Sequence, residues 1–252
     1  MKSITSSGYP SGVYSPLMQR LLQSDEALLP FHNGLVSTSE VQQIAQNRVV
    51  SFPKENRKIL VDTIQNQYKH LTQKEKVTIN VNLLKKSNTV TITTGHQLNI
   101  FTGPLFFWYK ILDVINTAER LQRTDSLHHY VPVFWMASED HDFEEINHFF
   151  LGEQKVRWDT KSGGPVGRMR TENLHELYSQ LEPYWSKNPH GKELLKLFAD
   201  CYLQEDNLAN ATRKLMHQLF GKYGLIVVDG DDHALKSLFS SIISKELRVQ
   251  TI

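Results

Sequence analysis

Two runs of this 252-residue chain carry side chains that can do chemistry: Thr93-Thr94-Gly95-His96-Gln97-Leu98-Asn99-Ile100-Phe101-Thr102-Gly103-Pro104 and Ser138-Glu139-Asp140-His141-Asp142-Phe143-Glu144-Glu145. In the first, Thr94, Gly95, His96, Gln97 and Asn99 lead to Gly103 at the expected start of a helix. Glycine lets backbone N–H groups approach a ligand, and a helix start offers unpaired donors with partial positive charge, so the place suits a phosphate or carboxylate. Lys110, two turns into that helix, adds a point charge if it faces back. The spacing matches neither the dinucleotide fingerprint nor the P-loop, and a tight turn with a capped helix accounts for the same residues.

The second run concentrates Glu139, Asp140, His141 and Asp142 behind an apolar stretch. Carboxylates beside an imidazole can bind a divalent metal, hydrogen-bond a sugar or amine, or transfer a proton. Glu144 and Glu145 are explained by the ordinary preference for acids at a helix start. Asp140, His141 and Asp142 are less easily dismissed, since a strand delivers them together to a sheet edge, and they are the candidate catalytic residues. Asp229 and Asp232, behind another apolar stretch, are further candidates for the same crevice. No metal centre is predicted, because neither His-Glu-x-x-His nor a Cys pair occurs. No Gly-x-Ser-x-Gly elbow occurs either, and the single cysteine, Cys201, reads as a small apolar residue in a helix.

The elements that must position these residues are legible from patterning. Asn88 to Thr94 is β-branched and reads as a strand ended by Gly95. Tyr130 to Ala137 reads as a strand covered on both faces, with Pro132 suggesting an edge or bulge, and Leu225 to Asp229 reads as a third strand. Helical spacing predicts a helix from Pro16, one capped around Ser37 to Glu40, one over about 54–74 and one over 105–121. In that last helix, Thr102 or Gly103 is expected to cap, with Pro104 in the first turn, and Phe106-Phe107-Trp108-Tyr109 to face the core. Further helices are expected around Leu174 to Leu181, Leu194 to Tyr202 and Leu208 to Tyr223, and one from about His233 toward Val249. Residues 1–16 read as an irregular arm and Lys161 to Arg168 as a flexible basic loop. Strands alternating with helical crossovers argue for an α/β fold, a parallel sheet with helices on both faces.

Twenty-eight basic against twenty-seven acidic residues leave a net charge of +1, which gives no field to gather nucleic acid. The N-terminus lacks an apolar signal core and no window is long enough to span a membrane, so the expectation is a soluble, cytoplasmic protein without nucleic-acid or membrane partners. The helical pattern is cut at Ile252, which suggests a piece of a longer chain.

Residues 93–110, with Val131 to His148, resemble the family of the bacillithiol biosynthesis cysteine-adding enzyme, BshC. The similarity extends to Gly163-Gly164-Pro165-Val166-Gly167-Arg168 and to the strand from Gly224 to Asp232. The family form of the first motif more commonly reads Thr-Gly-Gln-Gln, so His96 departs from it. The resemblance implies a ligase joining L-cysteine to the amino group of glucosaminyl-malate, with ATP or another nucleotide as a possible cofactor. It also implies a Rossmann-like, nucleotidyltransferase-type core with helical insertions, leading into a coiled-coil region mostly absent here that makes a homodimer. On that plan residues 1–86 are an arm and helices on the core, 87–150 the first half of the core, 151–207 a connecting-peptide-like insertion, and 208–252 the second part of the core with the start of a helical region. In this reading Gly95, His96, Gln97 and Gly103 hold the anionic part of a ligand, and Asp140, His141 or Asp142 bind sugar hydroxyls or take the amine proton. Two alternatives stand beside it: a metal-dependent hydrolase or sugar-modifying enzyme using the Asp-His-Asp cluster, and a non-catalytic binding module on a Rossmann-like core.

Overall fold

A computed structural model describes residues 12–31, 38–72, 74–161 and 163–249. The expected cap at Ser37 and most of the expected arm lie outside these residues. The chain divides into two compact units, Met1–Arg48 and Val49–Ile252. In the first, α1 (Pro16–Leu22) starts where Ser15 Oγ accepts from the Met18 N–H at 3.2 Å and Pro16 fills the first turn. Helix α2 (Thr38–Ser51) runs across the boundary.

The second unit is built on a three-stranded parallel sheet in the order β1 (Thr89–His96), β2 (His129–Met136), β5 (Ile226–Asp229). The register places Gly95 opposite Trp135, and Met136 opposite both His96 and Asp229. All three carboxyl ends therefore finish at one edge. Val131, Val133, Phe134 and Met136, which alternate between the faces of β2, are all buried, so both faces of the central strand are covered. Helix α5 (Leu105–Thr124) packs on β1 and β2, with the Phe107 ring edge-on to His96 and to Phe134. Helices α3 (Lys54–Tyr68), α4 (Glu75–Leu83) and α9 (Leu208–Phe220) cover β2 and β5. Each fully buried leucine or phenylalanine in this core adds about 1.5–3 kcal/mol.

Several details differ from the sequence expectations. Pro132 lies in no bulge but at a local edge: it faces Ile92 within the β1–β2 ladder, and pairing with β5 begins only at Val133. The missing N–H therefore falls where β2 has one neighbour. The helix expected to 74 stops at Tyr68, and α4 follows it. Of the four consecutive aromatics in α5, Phe107 is buried while Phe106 and Tyr109 are each 63% exposed, because four successive residues sweep a full helical turn and cannot all face the sheet. Helix α5 is also entered differently. Pro104 is its cap residue, and the Thr102 hydroxyl accepts instead from Trp108 Nε1 at 3.0 Å.

Between β2 and β5 the chain adds α6 (Phe143–Ile146), a hairpin of β3 (His148–Leu151) and β4 (Gln154–Arg157), and helices α7 (Leu174–Trp185) and α8 (Pro189–Tyr202). The hairpin was not anticipated. The end of the expected flexible loop is pinned: Val166 and Gly167 are buried and their N–H groups donate to Asp140 O (2.7 Å) and Ser138 O (2.8 Å). A Cβ on Gly167 would stand 2.5 Å from Ser138 Cβ, so only glycine lets this loop lie against the end of β2. After β5 the expected single helix is two, α10 (His233–Ser237) and α11 (Ser240–Val249), separated where Leu238 and Phe239 make tight three-residue turns.

Candidate functional site

The strand order brings the two chemically equipped runs together at the carboxyl edge of the sheet. Gln97, just past β1, donates from Nε2 to Asp140 Oδ2 (2.9 Å) and to Glu145 Oε2 (2.8 Å). Asn99 Nδ2 donates to the Glu145 carbonyl at 3.3 Å, while Asn99 Oδ1 is buried without a partner. The loop from 97 to 99 is thereby fastened to the acidic run through three bonds.

Asp140 organises its own turn. Its Oδ1 accepts from the N–H groups of His141 (2.7 Å) and Asp142 (3.3 Å). The Gln97 amide, together with these N–H groups and against the effect of burial, holds the carboxyl below the usual range, so it stays ionised at neutral pH. His141 is 83% exposed, with its ring nitrogens 3.8 Å from Asp140 Oδ1 and 3.7 Å from Asp142 Oδ1, too long for hydrogen bonds. Asp142 precedes α6 without capping it, and Glu139 is exposed and touches no partner among the described residues. One ligand atom each from Asp140, His141 and Asp142 falls within 4.8 Å of the others, yet a cation there would compete with two N–H donors already on Asp140 Oδ1. The cluster presents acceptors that a polar ligand can reach.

On the first run, Thr94 and Gly95 are inside β1, opposite Phe134 and Trp135, so their backbone belongs to the sheet. His96 ends the strand half-buried, with Nδ1 3.2 Å from Gln97 O; burial lowers its pKa, which favours the neutral ring. Lys110 does reach back: its Nζ donates to Gly95 O at 2.6 Å. Gly103 has φ +62°, and a Cβ there would meet Asn99 Cβ at 2.6 Å. Phe101 and Thr102 also have positive φ, 52° and 76°, a costly conformation for a β-branched residue. Past this bend neither the Leu105 nor the Phe106 N–H has a partner among the described residues, so the start of the 20-residue helix α5 presents open donors toward an anion such as a carboxylate or a nucleotide phosphate.

The third strand end is more enclosed. Asp229 accepts from the Ser138 hydroxyl on Oδ1 and from Arg213 on Oδ2 (3.3 Å), and Arg213 is itself almost wholly buried. Asp232 is a helix cap, accepting from the Ala234 N–H at 2.9 Å, and it also accepts from Gln67 Nε2 at 3.4 Å. Neighbouring Asp231, which the sequence did not single out, takes two bonds from Arg168 (2.5 and 3.0 Å) and one from Lys236 (2.6 Å). Asp229 and Asp232 thus support the edge, whereas Glu145, Ser138 and Arg213 join it. Glu145 stood in the run, but no local pattern signals that its side chain meets Gln97. Arg213 offered one faint signal, a charge within an otherwise apolar helix face. Cys201 is fully buried in α8, where burial pushes its thiol up to about 12, which removes it as a nucleophile.

Two recesses are relevant. One of about 480 Å³ lies between the loop and β3, lined by Asn99, Phe101, Gly103, Glu145, Phe149 and Phe150 among others. A larger one, about 730 Å³, is lined by Phe52, Arg57, Lys58 and Lys85 among others and contains none of the strand-end residues. The smaller recess shares Asn99 and Glu145 with the Gln97 network, whereas the roomier one shares no residue with it.

A family model described as bacillithiol biosynthesis BshC, N-terminal Rossmann-like domain, matches residues 3–252. The chain belongs to the BshC family. A relative from Flavobacterium johnsoniae named "Putative cysteine ligase BshC" is 42% identical over 241 residues, covering 96% of this chain and 46% of the relative. Relatives of the same name from Cytophaga hutchinsonii and Bacillus cereus are 40% and 29% identical, covering 93% and 68% of this chain and 42% and 34% of their own. The chain thus spans about half the length, or less, of the curated relatives it matches. The parallel sheet with its helices is the Rossmann-like architecture that the BshC model describes, and among the described residues no helix is long and apolar enough to cross a membrane.

Proposed function

We propose that this BshC domain carries the ligation site of an enzyme that joins the carboxyl group of L-cysteine to the amino group of glucosaminyl-malate, giving bacillithiol. The observation that carries the reading is the Gln97 amide bridging Asp140 and Glu145 at the strand ends, beside the open start of α5. An amide does not form from a free carboxylate and an amine without activation. The carboxyl oxygen is first joined to a phosphoryl or nucleotidyl group supplied by a nucleoside triphosphate such as ATP. The sugar amine then attacks the carbonyl carbon: the C–N bond forms, the C–O bond breaks, the phosphate or nucleotide leaves with that oxygen, and a base takes the amine proton.

The chain's own groups suit parts of this sequence. Ionised Asp140 accepts a hydrogen bond from the sugar or its amine and aligns it, and exposed His141 is free to carry the proton to solvent. Backbone donors at the start of α5 bind a carboxylate or phosphate. The reading extends, by resemblance to the family, to a cytoplasmic homodimer for the full-length protein.

The test is direct synthesis. Full-length protein incubated with L-cysteine, glucosaminyl-malate and ATP is expected to yield a product of the summed mass less one water. Unchanged substrates, with each nucleoside triphosphate tried in turn, would overturn the assignment.

A further inference from the structure

The two edges of the parallel sheet are finished differently. At the β5 edge, side chains of α3 close the outward backbone. Tyr68 Oη accepts from the Val227 N–H at 2.7 Å, and the Gln67 amide accepts from the Asp229 N–H at 3.0 Å and donates to the Asp229 carbonyl at 3.2 Å. At the β1 edge the middle stays open. The Asn88 and His96 carbonyls accept from the N–H groups of His129 and Ala137, so the even-numbered residues of β1 bond to β2 while Thr89, Thr91, Thr93 and Gly95 turn outward. Arg57 donates to the Thr89 carbonyl at 3.1 Å and Lys110 to the Gly95 carbonyl at 2.6 Å. Between these two cations, the N–H and C=O of Thr91 and Thr93 and the N–H of Gly95 have no partner among the described residues.

An open edge is a template for another strand, and proteins guard it with lysine, proline, a bulge or a cover. From Thr89 to Gly95, β1 contains no charge and no proline, its ladder to β2 is unbroken, and Thr91, Thr93 and Gly95 are exposed. Phe106 flanks this edge, its ring centre 5.4 Å from the same Lys110 Nζ that bonds Gly95, and it is exposed. Doubly wound sheets are built as two halves that meet at the first strand, and the first strand here is β1. This chain covers less than half of its Flavobacterium johnsoniae relative.

We propose that β1 is an interior strand of a larger sheet, paired along Thr91 to Gly95 with a parallel strand from the part of the full-length protein that this chain does not cover. The incoming segment is short, because Arg57 and Lys110 already hold the outward carbonyls at either end. It is uncharged where it faces the threonines, and an apolar side chain rests on Phe106. A second copy of this chain fits less well. Self-pairing across a twofold axis at Ile92 runs antiparallel and sets Lys110 of one copy against Arg57 of the other, like charge against like. With the added strand, the crevice beside Gly95 and His96 gains a second wall from the other part of the protein. The inference is independent of the reaction assigned to that crevice.

Amide hydrogen exchange at single-residue resolution on the full-length protein tests the pairing. The outward N–H groups of Thr91, Thr93 and Gly95 are expected to exchange within about tenfold of those of Ile92 and Thr94, which bond to β2, and to do so across about a hundredfold range of protein concentration. Faster exchange at Thr91 and Thr93 than this, or protection lost on dilution, would overturn the proposal. Phe106→p-benzoylphenylalanine in the full-length protein identifies the occupant. Irradiation is expected to cross-link it, within one chain, to a segment outside these 252 residues. Cross-links confined to the 252 residues, or formed between two chains, would overturn the assignment.

Discussion

Gln97 and Asp140 lie 43 positions apart in the chain, and their side chains meet at 2.9 Å across the ends of β1 and β2. The bond depends on the parallel register that sets His96 opposite Met136, so it couples the site directly to the sheet. Replacing Gln97 with alanine removes the bridge without touching the core, since the residue is only half-buried. The Gln97→Ala variant is expected to lose roughly 10- to 100-fold in kcat/KM, the scale of a misplaced reacting group, with its melting temperature nearly unchanged. Steady-state kinetics beside a thermal melt check this.

Arg213 and Asp229 form a pair of the opposite kind, structural and enclosed. Arg213→Met leaves Asp229 with the Ser138 hydroxyl and the Asp231 N–H but no counter-charge. Breaking a buried pair from one side costs about 3–5 kcal/mol, and the partial exposure of Asp229 favours the lower end. Urea unfolding at neutral pH measures the loss, and a loss below about 1 kcal/mol would show that solvent screens this pair.

Gly103 tests the bend. Alanine there must adopt a φ of +62° and place its Cβ 2.6 Å from Asn99 Cβ. Gly103→Ala is expected to cost about 1–3 kcal/mol of stability and to lower activity as the start of α5 shifts. Gly152→Ala makes a useful comparison, because its φ is also positive at +61° but nothing lies within 4 Å of the added Cβ. The difference between the two variants isolates the steric part.

Acid stability is set in part far from the site. Asp125 is buried, which by itself raises its pKa, but bonds from Tyr130 Oη (2.6 Å), His128 Nδ1 (2.8 Å) and the N–H groups of Leu127 and His128 outweigh this and hold it at about 2. In the unfolded chain it returns to the ordinary 3.8. Because the folded value is depressed, the carboxylate stabilises the fold fully above about pH 4 and loses that contribution as pH falls toward about 2. Asp125→Asn is expected to be less stable than wild type at pH 7, with the gap narrowing between pH 4 and pH 2. A gap independent of pH would show that the network acts through packing alone.

The sheet was legible because its strands are nearly pure signals: Val131 to Met136 and Ile226 to Val228 are apolar runs of a length that only buried strands keep. The placement of Asp140 and Gln97 at strand ends followed from the same runs. The hairpin from His148 to Arg157 was hidden because its turn, Gly152-Glu153, joins strands of only four residues with little alternation. Exposure of Phe106 and Tyr109 was hidden because hydropathy reports affinity for a core and not whether a neighbour is present to supply one. Glu145 was read as an ordinary helix-start acid, and only the tertiary approach of Gln97 gives it another role. Ser138, Arg213 and Asp231 became visible in the same way, through partners distant in the chain.

Thiol profiling of a bacillithiol-producing strain deleted for the gene, and complemented with full-length wild type or with Gln97→Ala, tests the central claim most directly. The account predicts that deletion accumulates glucosaminyl-malate and abolishes bacillithiol, that wild type restores the thiol, and that Gln97→Ala restores it poorly despite equal protein levels. Bacillithiol at parental levels in the deleted strain, or full restoration by Gln97→Ala, would contradict it.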